Sequence, residues 1–177
     1  MKINWVYHDN YDIPLKKNHR FTSTKFSDLF SELKNSKLYE NAIINNPSAA
    51  DFSDLTVSHC LTYINKIKYG LLNYKEERKL GLSWSKRLSE RSFLAVNGTL
   101  LTANLAIKNG IGCHLGGGTH HSHFDYGAGF CVFNDLAYAA LMLINNKIVK
   151  KILIFDCDVH QGDGTARILE KNDNIFT

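Results

Sequence analysis

Residues 151–164, KILIFDCDVHQGDG, decide the reading of this chain. The run from Lys151 to Phe155 is short, β-branched or aromatic, and closed by glycine-containing turn residues, which predicts a buried strand. Side chains alternate along extended backbone, so Asp156, Asp158 and His160 are expected on one side and Cys157 and Val159 on the other. A carboxylate oxygen and an imidazole nitrogen placed this way make half a site for a borderline divalent ion such as Zn²⁺, with Fe²⁺ or another divalent ion as alternatives. Asp-x-His alone is a weak sign, because acids and histidines at strand ends also cap helices and satisfy loops.

A second polar cluster, GGGTHHSHFDYGAGFC, occupies residues 116–131. Three glycines let the backbone turn so that His120 and His121 can both face a cleft. A histidine that moves protons needs a carboxylate on its other ring nitrogen to fix its tautomer, and Asp156 and Asp163 are the two spare acids. The plainer readings are a loop carboxylate satisfied by amides for Asp156, a helix N-cap for Asp163 and core packing for Phe130. His8, His19, His59, His114 and His123 read as ordinary: His114 as a satisfied core residue in a strand, His59 near a helix start, His123 near the site but outside the motif. GIGCHL has Leu115 where the third glycine of a dinucleotide-binding loop belongs, and no G-K-[ST] follows, so nucleotide binding is disfavoured.

Taken together, THH at 119–121, GFCVFND at 129–135 and DCDVHQGDGTA at 156–166 resemble the histone deacetylase family, which includes acetylpolyamine and other bacterial deacylases. Weaker likeness runs through Tyr7-His8, His19-Arg20-Phe21, Gly81–Ser85 and Asn97-Gly98-Thr99, so it covers essentially the whole chain. Gln161 after His160, with the general run of the N-terminal half, is similar to the class IV and bacterial branch. The resemblance implies a single catalytic domain over residues 1–177, incomplete at its C-terminus, with an arginase/deacetylase-like fold. It implies Asp158 and His160 as metal ligands, His120 paired with Asp156, His121 paired with Asp163, and Gly129 and Phe130 as the wall of an acyl-lysine tunnel. A third ligand, an aspartate, and a transition-state tyrosine would come from further sequence, so the 177-residue chain alone is expected to be inactive. The implied cofactor is Zn²⁺ and the implied substrate an acylated lysine or polyamine-type amine, hydrolysed at a linear amide. Two departures touch the rim: Tyr126 stands where many class IV-like relatives have arginine, and Ala128 where bacterial ones often have an acid. An arginase-type two-metal centre would need a further acid where Gly162 stands. A non-catalytic acyl-lysine binder is the alternative from another class, and retention of both histidines with both acids speaks against it.

Length and composition agree with one ordinary domain: 177 residues, 44% hydrophobic, net charge +4. The charges are dispersed, and the densest basic window, Lys75 to Lys79, also holds Glu76 and Glu77, so no nucleic-acid stripe is present. Cys60, Cys113, Cys131 and Cys157 lack C-x-x-C spacing and read as buried free thiols of a reducing compartment. The N-terminal stretch has no signal-like apolar region, and the longest apolar run, Leu136 to Ile144, is nine residues, where a membrane span needs about 20. A cytoplasmic protein without a membrane partner is expected.

Strands are expected at residues 3–8, 111–115, 151–155 and 174–177. Helices are expected at 26–39, at 58–69 and 74–80 ended by Gly70 and Gly81, at 84–109 with Ser83 as cap and Gly110 as stop, through Asn145 with Asn134 or Asp135 as cap, and at 165–171. The alternation predicts an α/β fold, a three-layer parallel sheet with helices on both faces and ligands beyond the carboxyl ends of the strands. Gly98 inside the long helix costs about 1 kcal/mol relative to alanine, which points to a close contact there.

Overall fold

Apolar Trp5 and Val6 bury the first strand, β1 (Ile3–Val6), in the middle of a parallel sheet. β2 (Ala42–Asn45) and β3 (Gly112–His114) flank it, with Trp5 opposite both Ile44 and Cys113. The computed structural model describes residues 2–22 and 24–177. β2 was not among the expected strands. The helix expected to reach residue 39 stops as α1 (Lys25–Lys34), and Ser36, accepting from Leu38 N, starts a 3₁₀ turn that delivers the chain to β2. Four half-exposed residues are too few for periodicity to reveal such a strand.

Helices α2 (Leu61–Tyr69) and α3 (Tyr74–Leu80) end at Gly70 and Gly81, whose φ values of 70° and 79° are left-handed. Asn73 and Glu76 form a capping box at the start of α3. The long helix α4 (Lys86–Asn109) is capped by Ser85, two residues beyond the expected Ser83, with its hydroxyl accepting from Leu88 N at 3.0 Å. α4 lies on β1 and β3 and against α5 (Asp135–Asn145). The close contact expected at Gly98 is present: a Cβ there would collide with Tyr11 Oη and His114 Nε2.

Both sides of α5 are buried, and this joins the two halves of the fold. Tyr138 packs in the main core with Leu88, Val132 and Phe133, while Ala137 and Ala140 pack with Leu169 and Ile175. Beyond α5, β4 (Ile152–Leu153) and β5 (Ile175–Phe176) form a separate parallel pair connected through α6 (Asp163–Leu169). Among the described residues no ladder joins β3 to β4, so the parallel strands stand in two ladders. The strand expected at 151–155 is also only half-covered. Ile152 and Ile154 pack inward, but Leu153 and Phe155 are 72% and 83% exposed, because α5 and α6 cover one face alone. Exposed apolar surface of this kind favours association.

The cysteines are free, yet only Cys131 is buried; Cys60 and Cys113 are half-buried, and Cys157 is exposed because the segment after β4 lies open. Among the described residues no helix is long and apolar enough to cross a membrane.

Candidate active site

A buried carboxylate organises the glycine-rich turn. Asp135, at the start of α5, accepts from Gly118 N at 2.9 Å, Thr119 N at 2.7 Å, Thr119 Oγ1 at 2.5 Å and Thr99 Oγ1. Burial opposes its charge, but these donors hold its pKa below the usual carboxylate range. An ionised carboxylate only accepts, so Thr99 donates to it, and the Thr99 oxygen then accepts from His114 Nδ1 at 2.8 Å. That leaves His114 Nε2 to accept from the Tyr11 hydroxyl at 2.7 Å. The satisfied core role expected for His114 is what the structure shows, and burial pushes its pKa down. The Arg91 guanidinium, buried in α4, donates to Tyr11 O and Gly116 O and ties the same turn from below. Sequence reading took Asp135 only as a helix cap and passed over Arg91. The available signal was a charged residue on the buried face of each of two long helices.

From this platform His120 and His121 project side by side, ring centroids 4.2 Å apart. His120 Nδ1 lies 2.7 Å from Asp156 Oδ2, and His121 Nδ1 lies 2.8 Å from Asp163 Oδ1. Each Nδ1–H therefore donates to a carboxylate, a bond that in the neutral ring puts the lone pair on Nε2. The hydrogen bond from His120 holds Asp156 below the usual carboxylate range. Thr165 N donates to His120 O at 3.1 Å and Asn134 Nδ2 to Ser122 O at 3.0 Å, so the starts of α5 and α6 clamp the histidine turn.

The segment after β4 is not an extended continuation of the strand, which corrects the simple alternation. Asp156 Oδ1 accepts from Asp158 N at 3.0 Å, and Asp158 Oδ1 accepts from His160 N at 2.8 Å. These two side-chain-to-backbone turns curl the segment and bring Asp158 and His160 face to face. His160 Nδ1 is 2.9 Å from Asp158 Oδ1, with side chains 71% and 49% exposed. That contact is a hydrogen bond from His160 Nδ1 to the carboxylate; two ligands of one tetrahedral zinc stand roughly 3.4 Å apart, so the separation is near what a shared ion would require. The chemistry of the donors fits a borderline divalent metal. Their number does not reach the three protein ligands of a catalytic zinc site, and no group of three metal-binding side chains occurs among the described residues.

His120, His121, Asp158 and His160 line one cavity of about 440 Å³ together with Gly129 and Phe130. Gly129, at φ 54°, backs onto His121, where a Cβ would stand 2.5 Å from Cδ2. Phe130 takes φ 67°, a strained value for a phenylalanine, held by a 2.8 Å bond from its N–H to Leu80 O. Its ring packs against Phe21 and His19 at centroid distances of 5.6 and 5.8 Å. His19 fastens this loop: Nε2 donates to Gly81 O and Nδ1 accepts from Phe21 N, each at 3.0 Å.

His123, set aside in the sequence reading, belongs with this group. Its Nε2 is 3.3 Å from Asp163 Oδ2, and Tyr126 stacks on its ring at 4.5 Å. Burial opposes the charge of Asp163, but hydrogen bonds from His121 and His123 hold it below the usual range. A third histidine two positions after the pair was the signal. His123→Phe removes one of the two donors; in the complete reading frame kcat is expected to fall about tenfold with KM unchanged, and His123→Gln, which keeps an N–H donor, to recover most of it. Equal kcat for all three proteins would assign His123 to packing alone.

Two histidine–carboxylate couples stand beside the Asp158–His160 pair on a parallel α/β scaffold, as the likeness to the deacetylase family implied. Residues 19–177 match the model of the histone deacetylase domain, and the chain belongs to that family. It is 40% identical over 172 residues to an uncharacterized protein of Picosynechococcus sp., covering 97% of this chain and 57% of that protein. It is 32% identical to the acetoin utilization protein AcuC of Staphylococcus aureus, covering 99% of this chain and 48% of AcuC. The crystal structure of the HDA15 HD domain has the same fold, with a TM-score of 0.79 at 20% identity over 98% of this chain and 51% of that one. The chain thus spans about half the length of the curated relatives it matches.

Proposed function

We propose that the protein serves metal-dependent hydrolysis of the amide of an Nε-acyl-lysine or related acylated amine, yielding a carboxylate and a free amine. The observation that carries this reading is that His120 and His121 each have Nδ1 on a carboxylate, in the same cavity where Asp158 meets His160. Asp158 and His160 would hold a divalent ion, Zn²⁺ before Fe²⁺ or another, which when bound polarises the carbonyl and lowers the pKa of water from about 15.7 toward 7. His121, its tautomer set by Asp163, accepts a proton at Nε2 and returns it to the departing amine. His120, paired with Asp156, hydrogen-bonds the attacking water and keeps the proton balance of the site. Against Gly129 and Phe130 the four methylenes of a lysine gain roughly 0.8 kcal/mol each on full burial, about 3 kcal/mol at most.

Two donors, and no tyrosine lining the cavity among the described residues, support weak metal binding and no turnover by the 177-residue chain alone. Free cysteines support a reducing, cytoplasmic setting. The test is an assay of the complete reading frame on an acetyl-lysine peptide with and without chelator. Turnover is expected, lost with chelator and restored by Zn²⁺. No turnover by the metal-loaded protein would favour a non-catalytic binder, and chelator-resistant turnover would remove the metal from the mechanism. Zinc-dependent turnover by the isolated 177-residue chain would overturn the claim of inactivity.

A further inference from the structure

We infer that the mouth of the cavity selects acylated lysines carried in acidic polypeptide and disfavours cationic carriers such as acylated polyamines. This rests on the deacylase reading and deepens it. Next to the candidate active site, and sharing Gly129 and Phe130 with it, lies a second depression of about 450 Å³ lined by Arg20, Arg78 and Lys79 and by no acid. Arg20 follows His19, whose ring bonds Gly81 O, and Arg78 and Lys79 precede Leu80, whose carbonyl accepts from Phe130 N. Both segments bearing cations are therefore tied by hydrogen bonds to the wall of the cavity.

None of the three cations has an acid within ion-pair distance among the described residues. Of the acids of α3, Glu76 pairs with Lys66 at 2.5 Å, and Glu77 accepts from Trp84 N at 2.7 Å and faces the neighbouring cavity; neither lines the depression. Asp163 is shared between His121 and His123, and Asp125, in the neighbouring loop, does not line the depression. Lys79 Nζ sits 3.1 Å from the Tyr126 ring centroid and Arg78 rests over Tyr74, contacts that leave both positive charges unneutralised. Cations in the last turn of α3 also suit its carbonyl end; that does not account for Arg20, which arrives from a different segment.

Once a lysine chain fills the cavity, its neighbours in the peptide lie over this depression. Exposed charges interact weakly one by one, but three of one sign within a Debye length act together, and salt screens them. In the complete reading frame, acetyl-lysine peptides flanked by Asp or Glu are expected to show about tenfold higher kcat/KM at low salt than peptides flanked by Lys or Arg, with the gap closing near 1 M salt. Arg20→Gln with Arg78→Gln should erase the ranking while leaving turnover of a neutral peptide unchanged. The salt series on the unaltered protein stands by itself if that variant does not fold. Equal rates across the peptides, a salt-insensitive ranking, or faster turnover of an acetylated polyamine would overturn the inference. Peptide binding is read by fluorescence anisotropy beside turnover, so the two claims separate. Charge-ranked binding without hydrolysis would overturn the deacylase reading and support the rim, whereas hydrolysis without charge ranking would overturn the rim alone.

Discussion

Asp135→Ala is expected to cost the fold about 3 to 5 kcal/mol, the range for removing one member of a buried, hydrogen-bonded charge network. The substitution strands Gly118 N, Thr119 N and the Thr99 hydroxyl, leaves the Thr119 hydroxyl with Phe133 O alone, and withdraws the acid with the largest electrostatic effect on buried Arg91. Chemical denaturation of the variant at pH 7 measures the loss; an unchanged midpoint would mean that the network is incidental. The same region makes stability depend on pH. The folded-state pKa of Asp135 is depressed, so its contribution is present above the unfolded value of about 3.9 and is lost as pH falls below that. His59 acts earlier. Burial pushes its pKa down to about 4, against the Nδ1–H bond to His123 O, which raises it; Nε2 accepts from Asn134 N in a closed interior and has no place for a second proton. The unfolded chain binds that proton near pH 6.5, so stability should decline between about pH 6.5 and 4 by on the order of 3 kcal/mol. His114 adds to the decline in the same direction. Stability that stays flat from pH 7 to 5 would contradict a neutral, buried His59.

His121→Ala, in the complete reading frame, is expected to lower kcat by about 10² to 10⁴ while peptide binding changes little, since general acid–base groups contribute on that scale. Its ring is half-buried at the cavity and makes its polar contact through Asp163, so the fold should survive the change. Asp163→Asn should cost less, about 10- to 100-fold, because the amide still holds the ring but no longer fixes its tautomer. Near-normal kcat for His121→Ala would move proton transfer to another group and leave the carboxylate pair without a catalytic purpose.

Much of this was legible along the chain, and the successes share a cause. Gly70, Gly81 and Gly110 ending helices, and Asn134, one of the two caps offered, starting α5, are settled within a few residues, where capping acts. β2 escaped because four residues carry no period, and the run at 151–155 was read as fully buried because sequence cannot say how many faces a strand has covered. For the site, residue types and the family likeness marked His120, His121, Asp156, Asp158, His160 and Asp163. Spacing alone left the pairing open.

The sequence by itself determined that helices end at Gly70, Gly81 and Gly110, where the polar clusters fall, and the family they resemble, because caps, turns and motifs are short-range. The likeness implied the two pairings, but only the tertiary structure makes them: Nδ1 of His120 reaches Asp156 across 36 positions and Nδ1 of His121 reaches Asp163 across 42. It alone brought His123 onto Asp163, set Asp135 beneath the histidine turn and gathered Arg20 with Arg78 beside Phe130. Such contacts depend on how α4, α5 and α6 pack on the strands, and packing is a property of surfaces that no local stretch of chain contains.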